Sequence, residues 1–87
     1  MKYVLKQVSG GYYYTTDTNK RRDYLCGEVE DAAIFPCPAN GYKRNAAFNI
    51  GSASCGRPNI SNKLKWVEVS ITAHGDWEVA WCQENQS

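Results

Sequence analysis

Residues 64–82 read LKWVEVSITAHGDWEVAWC. From Lys65 to Thr72 the apolar Val67, Val69 and Ile71 alternate with Trp66, Glu68, Ser70 and Thr72, the period of two that marks a strand with one buried face. Trp77, Val79 and Trp81 alternate with Glu78, Ala80 and Cys82 in the same way. Residues opposed across an antiparallel ladder lie on one side of the sheet. A two-residue His74-Gly75 turn would set Ile71 against Glu78 and break that rule. A loop of Ala73, His74 and Gly75 sets Ile71 opposite Trp77, Val69 opposite Val79 and Val67 opposite Trp81, with Gly75 in the left-handed position such a loop requires. The segment therefore predicts a hairpin in that register, with these six residues as its core face.

Working outward, residues 2–8 (KYVLKQV) and 12–16 (YYYTT) are rich in aromatic and β-branched residues and are joined by Ser9-Gly10-Gly11, which predicts a second hairpin. Either Val4 and Val8 or Tyr3 and Leu5 face its core, because the pleat sends neighbours to opposite sides. Asp17 to Asp23 is polar and turn-rich, an exposed loop or strand tip, and Tyr24 to Val29 is a third, weaker strand with Gly27 as a bulge. Pro36-Cys37-Pro38 imposes an extended corner. A helix follows, with Asn40 as N-cap, Tyr42, Ala46, Ala47 and Ile50 on one face, and Gly51 as the stop. Ser52 to Asn62 reads as a loop. The order predicts an α+β fold: an antiparallel sheet of four or five strands with one short helix packed on one face, the other face solvated and free to bind.

The 87 residues are expected to form a single domain, 1–87. Hydrophobic content of 43% with 13% aromatic argues for a folded chain, and three Trp and six Tyr predict an aromatic core. Ten Lys and Arg against nine Asp and Glu give a formal charge of +1, so any electrostatic site must be a local patch. The opening MKYVLKQVSGG has too short an apolar run for a signal peptide or a membrane span, which leads us to expect a cytoplasmic protein with no membrane partner. Cys26, Cys37, Cys55 and Cys82 are scattered without a C-x-x-C, so buried or half-buried free thiols are expected, with no metal and no cofactor.

Catalysis finds little support in the residues. The single histidine, His74, stands at a hairpin tip, a poor place for a triad, and Cys55 beside Gly56 carries no thiol-enzyme signature. The expectation is a non-enzyme. Two features point to binding. Lys20, Arg21 and Arg22, joined by Lys43 and Arg44, make a cationic site for phosphates or carboxylates, although Asp17 and Asp23 flank the run. Tyr13 and Trp66 are the outward aromatics: the three consecutive tyrosines must split between faces, and Trp66 points opposite Val67. Protein interfaces enrich such rings and single-stranded nucleic acids stack on them.

A very short chain that starts MKYVLK, with a hairpin at each end and one helix between, resembles small proteins encoded by phages and mobile elements, and among them compact one-sheet, one-helix anti-CRISPR proteins. The resemblance lies in size and element order rather than in a motif, and it carries over no functional residue. It implies a non-catalytic inhibitor, acting in the host cell cytoplasm, that occludes a binding surface on a bacterial protein or nucleoprotein complex. Many such proteins are acidic nucleic-acid mimics; this near-neutral chain departs from them, which favours direct protein blocking. The expected function is thus an interaction module using Lys20, Arg21, Arg22, Tyr13 and Trp66. The alternative is a nucleic-acid-binding sheet-plus-helix domain using the same cations.

Overall fold

Runs of β-branched and aromatic residues at both ends of the chain need a partner for each strand, and they find it largely in one another. The computed structural model describes residues 2–17, 19, 23–53 and 62–83. Strands β1 (Lys2–Gln7), β2 (Tyr13–Tyr14), β3 (Leu25–Cys26), β4 (Leu64–Ile71) and β5 (Trp77–Cys82) form one antiparallel sheet in the order β3-β2-β1-β4-β5. Helix α1 (Asn40–Ala53) and a single 3-10 turn (Val29–Asp31) complete the α+β fold. The first strand is thus central. It pairs with β4 over six rungs, from Lys2 opposite Val69 to Gln7 opposite Leu64.

The two sides of the sheet follow from that register. One side, the helix face, carries Leu5, Tyr14, Leu25, Leu64 and Trp66, which bury against Ala46 and Ile50 of α1. The other, the turn face, carries Val4, Cys26, Val67 and Val69, covered by Ala32 and flanked by Val29, Tyr13, Trp77 and Cys82. Both sets proposed for the first strand therefore contribute, since Val4 and Leu5 are each fully buried. A central strand covered on both faces reads as an unbroken apolar run. The turn face is closed at its centre, where the sequence predicted an open surface.

Trp66 is a correction. It was expected to face outward, but only 2% of it is exposed. Its ring lies edge-to-face against Phe35, at 5.4 Å between centroids, and against Tyr3, at 6.4 Å. Leu64 and Trp66 lie under α1, while Ser70 on the same side lies beyond its cover and is exposed. Alternation marks a side of the sheet; the helix decides how much of that side is dry. The Trp66 backbone is also held, donating its N–H to Gln83 Oε1 at 3.3 Å and accepting from the Gln83 N–H at 2.8 Å. Its indole Nε1 is buried with no hydrogen-bond partner among the described residues.

The hairpin at residues 64–82 holds its predicted turn and most of its register. Ile71 opposes Trp77, Val69 opposes Val79, and Gly75 takes a φ of +86°. The Thr72 N–H donates to the Asp76 carbonyl at 2.7 Å, leaving Ala73, His74 and Gly75 as the loop. Beyond that the ladder shifts between Glu68 and Val69, so Trp81 opposes Glu68 and Val67 opposes Cys82. An irregularity of this kind sends the following side chains to the other face. The six predicted core residues divide accordingly: Val67 and Val69 are buried, Trp77 is half-buried, and Ile71, Val79 and Trp81 are exposed.

The helix begins at Asn40 itself and runs through Gly51 to Ala53, so neither predicted boundary holds. A Cβ on Gly51 would come within 3.1 Å of Asn62 Nδ2, which gives that glycine a close approach in place of a stop. Of the predicted helix face, Ala46 and Ile50 are buried and Ala47 packs at the margin. Tyr42 is largely exposed, with its ring 5.0 Å from Phe35. Asn49 Nδ2 donates to the Tyr14 hydroxyl at 3.0 Å and ties the helix to β2. The Thr15 hydroxyl, buried, donates to the Asp31 carbonyl at 2.6 Å and holds the 3-10 turn in place.

Two outcomes test this packing. Trp66→Ala is expected to cost about 3–5 kcal/mol, as large-to-small changes at buried aromatics do, while Val79→Ala should stay within about 0.5 kcal/mol; urea unfolding of both variants checks the contrast, and equal losses would contradict it. The second concerns Cys26, whose thiol donates to the Glu28 carbonyl at 3.3 Å. Burial pushes that thiol up, a backbone hydrogen bond at Glu28 opposes it, and the Asp31, Glu28 and Asp17 carboxylates push up again, leaving it raised. A raised folded value favours the protonated form, so its contribution is whole below the unfolded thiol range, about 8.5, and is lost as pH climbs through the folded value. The urea midpoint should fall from neutral pH to about pH 9.5, and Cys26→Ala should flatten that decline; parallel profiles for the two proteins would refute the assignment.

Candidate functional site

Charge on the strands sorts by face. Lys2 and Lys6 lie four residues apart on β1 and therefore share a side, and Lys65 joins them because it is the Cα partner of Lys6. All three belong to the turn face. The strand carboxylates, Glu68 and Glu78, lie on the helix face, where Glu68 opposes Tyr3 and Trp81 and Glu78 opposes Ser70. Like charges set directly across a ladder oppose folding. Lys6 and Lys65, both half-buried, form such a pair, and neither ion-pairs with a carboxylate among the described residues.

Each end of this cationic track carries a ring. Lys6 Nζ lies 5.7 Å from the centroid of Tyr13, and Lys2 Nζ lies 6.0 Å from that of Trp77. Tyr13 is half-buried between Lys6 and Cys26, its partners on β1 and β3. Burial raises its phenol, Cys26, Cys82 and Glu30 raise it further, and Lys65 opposes them. Of the predicted site residues, Tyr13 thus stands at a charged surface, whereas Trp66 is in the core. Lys20, Arg21 and Arg22 lie outside the described residues.

A second surface lies at the β4–β5 edge. Val79 is 60% exposed and Ile71 and Trp81 are each 45% exposed, so large apolar side chains meet solvent on both faces of the same hairpin. β5 is the last strand of the sheet, so no further strand among the described residues flanks them on that side. Phe48, the most exposed large apolar residue described, stands on α1 beside a recess of about 220 Å³ shared with Tyr24, Asn49, Ser52 and Ala53. Single exposed rings are ordinary on protein surfaces.

Lys43 and Arg44 find a place in a groove of about 370 Å³ between α1 and the start of β4, lined also by Asn40, Asn62 and Lys63. Burial lowers the Lys43 ammonium. His74 is exposed at the hairpin tip, at the far end of the hairpin from Cys82, and its backbone N–H donates to Thr72 Oγ1 at 3.3 Å. Cys26, Cys37 and Cys82 are free; Cys37 is exposed, against the expectation of burial, because it follows Pro36 at an open corner. Cys55 lies outside the described residues. Among the described residues no cluster of three or more His, Cys, Asp or Glu is placed to hold a metal ion, and no helix is long and apolar enough to cross a membrane.

The lysine track escaped the sequence reading, which looked for consecutive cations. Its signal was present: Lys2 and Lys6 keep the strand period, and Lys65 keeps that of Val67 and Val69. The pairing of β1 with β4, which joins the two sets, was not predicted. The chain matches no protein-family model, and no curated protein or solved structure is significantly similar to it.

Proposed function

We propose that the protein is a non-catalytic interaction module that binds a protein partner through the exposed side chains of the β4–β5 hairpin. The observation that carries this reading is the exposure of Ile71, Val79 and Trp81 on an edge hairpin whose register is otherwise fixed by buried Val67 and Val69. A large apolar side chain half in water forgoes half of the about 1.5–3 kcal/mol that full burial gives, and protein interfaces enrich aromatic anchors; Ile71 and Val79 offer such contacts on one face of the hairpin and Trp81 on the other. The hairpin is held at its base by the buried Val67 and Val69, a geometry that presents contacts without a large ordering cost on binding. The narrower form of the proposal is an inhibitor that covers a binding surface of a bacterial defence complex. It rests on the resemblance in size and element order.

The test is capture of a partner from bacterial lysate by the tagged protein, with and without nuclease, followed by mass spectrometry. A nuclease-resistant, stoichiometric partner is expected. Val79→Glu should reduce its affinity by about tenfold or more, the loss of one interfacial anchor, with thermal unfolding unchanged. Capture that survives Val79→Glu and Trp81→Ser alike would remove the hairpin from the interface.

A further inference from the structure

We propose that the turn face binds single-stranded nucleic acid, with Lys2, Lys6 and Lys65 on phosphates and the rings of Tyr13 and Trp77 on bases. The site borders the exposed apolar end of the hairpin, sharing its face with Ile71 and Val79 at Trp77, but it does not rest on the role proposed for that end.

The first support is the charge sorting. Every strand cation is on this face and both strand carboxylates are on the other, in a chain whose formal charge is only +1; the carboxylates that reach this side come from the covering segment, where Glu30 lies near enough to Tyr13 to raise its phenol. The second is the Lys6–Lys65 pair, two ammonium groups on directly opposed residues. Like charges so opposed disfavour folding, and a bound anion would relieve them. The third is the placement of the rings. Tyr13 and Lys6 share a rung, and Trp77 lies three strand spacings and about six residues further along, a diagonal of about 25 Å. Lys2 and Lys6 stand about 13 Å apart along β1, between them.

The lysines now lie at 5.7 and 6.0 Å from the ring centroids, the outer limit of a cation–π contact, worth about 0.5–1 kcal/mol at exposed sites. A stacked base gives about 1–3 kcal/mol. A strand that brings a base to each ring and a phosphate to each ammonium therefore replaces a weak contact with two stronger ones. An acidic peptide would satisfy the lysines but offer the rings no planar partner, which is why the observations favour nucleic acid.

The experiment is fluorescence anisotropy of a labelled oligothymidylate, roughly ten nucleotides long, titrated with the full chain at several salt concentrations. Three phosphate contacts at about 0.7 each predict a slope of about −2 in log affinity against log salt. Lys6→Glu should weaken binding about tenfold or more and bring the slope to about −1 or shallower. It should leave the melting temperature unchanged or higher, because the introduced carboxylate faces Lys65. Lys65→Glu should behave alike and serves as the check should the first variant fold poorly. Absence of binding at low salt, a flat salt dependence, or full affinity in both variants would overturn the proposal. Equal affinity for the corresponding duplex would overturn the role of the rings, and displacement by polyglutamate as effective as by unlabelled oligonucleotide would assign the face to an acidic protein instead.

Discussion

The antiparallel ladder between β1 and β4 joins residues about sixty positions apart and assigns a side to nearly every residue in the sheet. Closing a loop of that length costs about 3–4 kcal/mol on the logarithmic scale, before any constant. The return comes from the rungs themselves. Leu5 opposite Trp66 and Val4 opposite Val67 bury four large side chains, two on each face, at about 1.5–3 kcal/mol apiece. A slip of one residue would carry Lys6 under the helix and Leu5 toward the turn face. The burial that holds the ladder thus also holds its cations on one side.

What covers the sheet is unequal in kind. On the helix face, Ala46 and Ile50 bring a helix close over Leu5, Leu64 and Trp66, and Phe35 fills the space between rings, contacting Tyr14, Tyr42 and Trp66. Phe35 is placed by its backbone, which exchanges hydrogen bonds with Tyr3 at 2.8 and 3.1 Å. On the turn face a single 3-10 turn serves, anchored by Thr15. Getting from β2 back to that turn requires a sharp reversal at Asp23 and Tyr24, whose φ values of 57° and 66° are left-handed. Aspartate adopts that region readily and tyrosine only at some cost. The Tyr24 ring stacks on Tyr14 at 6.1 Å, a contact that offsets part of the strain.

The period-two pattern was legible because it is local. It located the hairpin turn, the Val69–Val79 rung and the sheet class, as helical spacing located Ala46 and Ile50 on the buried side of the helix. What it missed are consequences of contacts distant along the chain. Trp66 alternates with Val67 and so read as outward; its burial depends on α1, more than ten residues upstream, lying across that half of the strand. Val79 and Trp81 read as core because they alternate; their exposure depends on β5 being an edge, which strand order decides. Lys2, Lys6 and Lys65 read as scattered charges until β1 was paired with β4. The predicted cations at Lys20, Arg21 and Arg22 were found by their adjacency, a property with no bearing on which face a side chain occupies.

The sheet ends bear on the binding proposed above. An open edge invites another strand to add to it. Here β3 offers only Leu25 and Cys26, too short a template, and β5 carries a shift in register beside Glu68 and Val69 that disturbs the regular row of donors and acceptors. Both edges are therefore poorly suited to extend the ladder. The side chains that flank them are not: Val79 and Ile71 lie on the turn face with Trp77 and Lys2, and Trp81 lies on the helix face near Glu68. The proposed recognition is consequently placed on the faces of the sheet rather than on its edges. Trp77 is the point where the apolar hairpin end and the cationic track meet, so a ligand on either surface must compete there for the same ring.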